Sequence, residues 1–179
     1  MFNNYFNFIN KYFDYEISKK LINNNLYLFL IIILIYILLI NLYQFFFLNK
    51  INIFKNSINK ILTFWNFSLA IFSLFGFIKL TPLIIKSIKE YGIINTYTQI
   101  TSLQTNQISG YWIYIWVLSK LPELLDTLFI ILKNKPIKFM HWFHHSMSIL
   151  FGTLNFIGDN AYLVWVVWMN YFIHSIMYR

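Results

Sequence analysis

The sequence predicts an all-α fold, a polytopic membrane bundle of about five transmembrane helices. Two observations carry this expectation. Hydrophobic residues make up 59% of the chain and charged residues only 11%, less than half the share of roughly 25% usual in soluble domains. A soluble fold of this size would have too little polar surface to cover its core. The apolar residues also gather in runs close to the roughly 20 residues that cross a bilayer, with lysines between the runs.

Residues 1–25 mix Lys11, Asp14, Glu16, Lys19 and Lys20 with aromatics and end in Asn23-Asn24-Asn25. They read as a short amphipathic lead-in. Residues 26–48 are apolar apart from Asn41 and Gln44 and form the first expected span. The run is too long for a signal-peptide core and no small-residue cleavage site follows, so it reads as a retained helix. A second span is expected at 61–80, between Lys60 and Lys79-Leu80-Thr81-Pro82. Residues 81–109 then form the longest connection, whose first part is expected to lie along the interface as a helix. The third span is expected at 110–132, followed closely by Lys133, Lys135 and Lys138. The fourth is expected at 139–156 and, after a Gly158-Asp159-Asn160 turn, the fifth at 161–178. Residues 26–179 thus read as one transmembrane domain. Five crossings leave the chain ends on opposite faces, and the lysines after the third span place the N-terminus in the lumen and Arg179 in the cytosol.

The net charge of +8 does not mark a nucleic-acid partner, because the lysines sit in short segments between helices and form no dense stripe. Lysines flanking a membrane account for them. The chain has no cysteine, which excludes disulfides and thiolate chemistry.

Chemistry concentrates in the last three expected spans. Lys120-Leu121-Pro122-Glu123-Leu124-Leu125-Asp126-Thr127 puts three ionisable groups mid-span. Each costs roughly 2.5–3.5 kcal/mol at a helix centre on insertion scales, and such groups mark function by default. Spacings of three and four put Lys120, Glu123 and Thr127 along one face with Asp126 beside them, and Pro122 is expected to kink the helix. The bland alternative is a Lys120–Glu123 ion pair that only fixes packing. The fourth span opens with His141-Trp142-Phe143-His144-His145, in which His141 shares a face with both other histidines. Three imidazoles within one turn can bind a metal, shuttle protons, or supply a nucleophile and its base. In the fifth span Asn170, His174 and Tyr178 recur every four residues along one stripe. Asn170 is placed there to orient the imidazole, and Tyr178 to donate a proton or bind a head group.

Three boxes in this order resemble a known family. Residues 120–127, 141–145 and 174–178 are similar to the KxPExxDT, HxxHH and HxxMY boxes of the ELO family, the very-long-chain fatty acid elongases that act as 3-ketoacyl-CoA synthases in the endoplasmic reticulum. The similarity runs almost unbroken through residues 119–133 and 140–145. Leu69-Ala70-Ile71-Phe72-Ser73-Leu74-Phe75-Gly76 resembles the LAxFSxxG segment. With Met169-Asn170-Tyr171, that segment looks most like the branch elongating saturated and monounsaturated chains. The resemblance implies condensation of acyl-CoA with malonyl-CoA to 3-ketoacyl-CoA, with no metal and no cofactor. It also implies membrane lipid, and the reductases and dehydratase of the elongation cycle, as partners. Its implied catalytic residues are His144 as nucleophile, His141 and His145 as its helpers, and His174 at the enolate. Lys120 would meet a carboxylate or phosphate, and Glu123 and Asp126 would orient imidazoles. Asn170, Thr127 and Tyr178 would bind substrate. Family members resemble seven-helix proteins in which tyrosines and further helices follow the last box. This chain stops at Met177-Tyr178-Arg179, so it is expected to be truncated at its C-terminus and unable to close an acyl tunnel alone.

Two alternatives stand beside this reading. A di-iron membrane desaturase or hydroxylase also carries HxxHH, but it needs several such boxes and more histidines than the four in this chain. A non-enzymatic membrane transporter accounts for the charged helix and gives no reason for the three adjacent histidines.

Overall fold

Every regular element in this computed structural model is helical among the residues it describes, 13–47 and 55–177. The lead-in as far as residue 12, and Tyr178 with Arg179, lie outside them. Helix α1 (Tyr15–Asn24) starts at Asp14, whose side chain accepts from the Ile17 amide. Helix α2 (Leu26–Leu42) runs on into a π-helical turn over Tyr43–Phe47. Helix α3 spans Lys55–Tyr91, and the short α4 (Ile93–Thr98) and α5 (Ser102–Thr105) lead to α6 (Gln107–Ser119). A 3₁₀ turn over Pro122–Leu124 joins α6 to α7 (Leu125–Leu132), and α8 (Phe139–Ile157) and α9 (Leu163–Met177) complete the bundle.

The all-α class holds, but the expected five transmembrane helices do not. Among the described residues, two helices are long and apolar enough to cross a membrane, Leu26–Phe46 and Ile58–Tyr91, and Leu163–Met177 is apolar but short. The third expected span is broken. Backbone bonds tighten to i−3 at Lys120, Leu121 and Leu124, and Pro122 has no N–H to carry the α-helical ladder through. The fourth is a continuous helix, but its early turns carry three histidines and its later ones Ser146, Ser148, Thr153 and Asn155, which dilute its hydropathy. The fifth has 15 residues, about 22 Å at 1.5 Å per residue. The assignment of the chain ends to opposite faces rested on five crossings and falls with them.

The second span, by contrast, is longer than expected. Pro82 sits inside α3, and the helix continues to Tyr91. Thr81 Oγ1 accepts from Trp168 Nε1 at 2.9 Å, and α3 packs on α9 along its length. Tertiary packing thus carries the helix across the residue that would otherwise end it. It stops at Gly92, whose φ of 77° suits a glycine and few other residues.

Helix α2 is apolar on all sides. Phe29, Ile33, Tyr36 and Ile40 form its buried stripe, while Leu28, Ile31, Leu34, Ile35 and Leu38 face outward. A helix that shows leucine and isoleucine to its surroundings has lipid as its natural solvent. Its polar interruptions are satisfied internally: Asn41 Nδ2 donates to the Ile37 carbonyl at 2.8 Å and Gln44 Nε2 to the Ile137 carbonyl at 2.7 Å. The protein is membrane-associated. Its core lies where α3, α6, α8 and α9 meet, around Leu80, Ile113, Val117, Ile149, Val164 and Tyr171.

Candidate active site

The break between α6 and α7 builds the centre of the site. In a 3₁₀ turn residues three apart eclipse one another, and Lys120 and Glu123 are three apart. Lys120 Nζ donates to Glu123 Oε1 at 2.7 Å and to Oε2 at 2.9 Å. Only 3% of Lys120 is exposed, so this is a buried, bidentate ion pair. Ser119 Oγ lies 3.3 Å from Glu123 Oε1 while donating to the Trp116 carbonyl at 2.8 Å, and the ammonium lies 4.7 Å from the centre of the Trp116 ring.

Asn170 on α9 ties this pair to His174. Its Oδ1 accepts from Trp116 Nε1 at 2.8 Å and from Lys120 Nζ at 3.4 Å. Both partners can only donate, which turns the amide so that Nδ2 faces His174 Nε2, 3.2 Å away. That ring nitrogen is then the acceptor, and the neutral imidazole carries its proton on Nδ1.

A second group surrounds the histidines of α8. Thr127 Oγ1 lies 2.9 Å from His141 Nε2 and 2.6 Å from the Tyr36 hydroxyl. The His141 and His145 rings sit 4.5 Å apart, and those of His144 and His145 5.8 Å apart. His144 is the exposed member, with Ser148 Oγ 3.4 Å from its Nε2. Among the described residues, no group of three or more histidine, aspartate or glutamate side chains is arranged to hold a metal ion.

Lys120, Glu123, Asn170 and His174 therefore form one network, and Thr127 and His141 a second. Asp126 joins neither through its hydrogen bond, which it accepts from Trp65 Nε1 at 2.7 Å. Tyr178 lies outside the described residues. His174 meets the amide of Asn170, the residue expected to orient it. His141 meets the Thr127 hydroxyl where a carboxylate was expected, and Glu123 is engaged by Lys120. Trp116, Trp65 and Tyr36 were not singled out in the sequence. Trp116 carried a readable signal, because it lies one turn before Lys120 on the same face. Tyr36 carried none, being an aromatic in an apolar run.

A cavity of about 320 Å³ opens beside the second group, lined by Asp126, His141, Lys133 and Lys135 together with Leu62, Asn66, Phe129 and Ile130. It brings an acid, an imidazole and two lysines next to apolar wall.

Comparison with known proteins agrees with the boxes. The ELO: GNS1/SUR4 family matches residues 21–179. Very long chain fatty acid elongase 6 of Drosophila melanogaster is 35% identical over 117 residues, which are 65% of this chain and 37% of that protein. Fatty acid elongase 1 of Trypanosoma cruzi is 36% identical over 128 residues, 69% of this chain and 44% of that protein. Very long chain fatty acid elongase 6 of Gallus gallus is 36% identical over 124 residues, 69% of this chain and 46% of that protein. The chain thus spans less than half the length of these curated relatives. No solved structure matches it. With its three boxes in order, its buried Lys120–Glu123 pair and a family match from residue 21 to its last residue, this chain belongs to the ELO (GNS1/SUR4) family.

Proposed function

We propose that the protein is a fatty acid elongase of the endoplasmic reticulum membrane, condensing an acyl-CoA with malonyl-CoA. The observation that carries this reading is the Lys120–Glu123–Asn170–His174 network on α6, the 3₁₀ turn and α9, with the ion pair buried and Asn170 and His174 half-buried, combined with the family match.

His144 attacks the acyl-CoA thioester carbonyl. An acyl-imidazole bond forms, the carbon–sulfur bond breaks, and CoA leaves as the thiol after taking a proton. Malonyl-CoA then loses CO₂, and the electron pair of the broken carbon–carbon bond becomes the enolate of its thioester. That carbanion attacks the acyl-imidazole, the carbon–nitrogen bond breaks as 3-ketoacyl-CoA is released, and the departing imidazole nitrogen takes up a proton to restore His144. The accessibility of His144 supports its role, since His141 is already engaged by Thr127. His174 and Lys120 supply positive potential to the enolate. Glu123 keeps Lys120 in place, and Asn170 presents His174 in one tautomer. Thr127 holds His141 beside His145, which handles protons. On their box positions Asp126 is assigned to the catalytic set and Tyr178 to substrate binding. The reaction needs no metal or cofactor, and its 3-keto product requires reduction, dehydration and a second reduction, which makes the enzymes of those steps the natural partners.

The test is condensation itself. Microsomes carrying the full-length protein, given acyl-CoA and malonyl-CoA labelled at the methylene carbon, are expected to form labelled 3-ketoacyl-CoA. Loss of Asn170 donation in Asn170→Asp is expected to lower the rate about 100-fold. Absence of labelled product above the untransfected background would overturn the reading.

A further inference from the structure

Helix α2 carries none of the residues expected at the site, yet its polar side chains reach the flank of the histidine cluster. Tyr36 is 8% exposed, and its hydroxyl lies 2.6 Å from Thr127 Oγ1. Thr127 is 2% exposed, and its Oγ1 lies 2.9 Å from His141 Nε2. Two turns further along, Gln44 Nε2 holds the Ile137 carbonyl just ahead of α8. Helix α2 and the π-helical turn that continues it therefore hold both the approach to α8 and, through one hydroxyl, the first histidine on it.

We propose that Tyr36 is a positioning residue for the histidine cluster, acting through the Thr127 hydroxyl to set the tautomer and ring plane of His141. Its catalytic consequence rests on the elongase reading, whereas the contact itself does not.

Each hydroxyl has one proton to give. A phenol is more acidic than an aliphatic alcohol, so the stronger pairing runs from the Tyr36 O–H to Thr127 Oγ1. Thr127 then gives its own proton to His141 Nε2. That nitrogen becomes an acceptor, and the neutral ring keeps its proton on Nδ1. The reverse direction would make His141 Nε2 the donor and leave Nδ1 bare. The His141 ring lies 4.5 Å from that of His145, so holding one ring plane restrains the other. A purely packing role needs no hydroxyl. Phenylalanine would fill the same space without burying a polar group, which costs free energy unless it is hydrogen-bonded.

The test uses the full-length protein in detergent micelles with ¹⁵N-labelled histidine. The imidazole nitrogen shifts of His141 are expected to report one tautomer, protonated on Nδ1. Tyr36→Phe keeps the ring and is expected to turn that signal into a mixture of tautomers, and Thr127→Val is expected to do the same. Thr127→Ser, which keeps the hydroxyl, should restore the single tautomer. In the condensation assay Tyr36→Phe should lower kcat about tenfold with the KM for acyl-CoA unchanged. A His141 signal that is the same in wild type, Tyr36→Phe and Thr127→Val would overturn the proposal. A tautomer change in a protein that never condenses acyl-CoA would support the contact and remove the elongase reading instead.

Discussion

The ring of Tyr171 lies against the bare backbone of Gly76, so close that a Cβ added at Gly76 would stand 2.6 Å from its carbons. Tyr171 is buried, and its hydroxyl donates to the Trp112 carbonyl at 2.9 Å. The ring thus joins α3, α6 and α9 at one point. Neither neighbour can give way cheaply, since one is helix backbone and the other a ring boxed in by Phe72 and Trp112. Gly76→Ala should destabilise the fold by about 1–3 kcal/mol, seen as a fall in Tm of several degrees in detergent. An unchanged Tm would mean that the two helices are further apart than described.

The Lys120–Glu123 pair predicts an asymmetry. Both side chains are buried, so removing one leaves the other as an uncompensated charge in an apolar interior. Lys120→Met should cost about 3–5 kcal/mol. The double change Lys120→Met with Glu123→Leu should cost less than that single one, because no orphaned charge remains. Denaturation of wild type, Lys120→Met, Glu123→Leu and the double variant in the same detergent measures the difference. Costs that simply add would show the two groups to be uncoupled.

Much of this site was legible because its signals are local. Charges and histidines in apolar helices stand out against their neighbours, and three-residue spacing put Lys120 and Glu123 on one face, although their ion pair was only the bland alternative there. The number of crossings was not legible for a related reason. An apolar run records composition, not whether the helix survives it. Pro122 broke α6 from α7, whereas Pro82, with Trp168 packed against the neighbouring threonine, left α3 intact. Proline alone does not distinguish these outcomes; the partner helix does. Tyr36 was hidden in turn because its distant partner, Thr127, is 91 positions away.

Outside the apolar helices, Tyr15 ties α1 to the turn before α9. Its hydroxyl donates to Asp159 Oδ1 at 2.9 Å, and Lys19 meets the other carboxylate oxygen. Burial, and then the bond to the Asp159 carboxylate, push the Tyr15 phenol above its ordinary value of 10.0. A raised value stabilises the fold fully below the unfolded value and loses that contribution as pH rises through the folded one. Wild type should therefore melt above Tyr15→Phe at pH 8, by a few degrees for one hydrogen bond. The gap should narrow as the pH is taken above about 10. Melting curves of both proteins across that range check it, and a gap that widens with pH would contradict the contact.

Whether an acyl group passes through His144 is the central chemical claim, and intact-protein mass spectrometry tests it most directly. Purified full-length protein is incubated with acyl-CoA alone, so that condensation cannot clear an intermediate. Wild type is predicted to gain the mass of one acyl group and to lose it when malonyl-CoA is added, with 3-ketoacyl-CoA appearing in step. His144→Ala is predicted to stay at its unmodified mass and to form no product. Full acylation and turnover in His144→Ala would contradict the account.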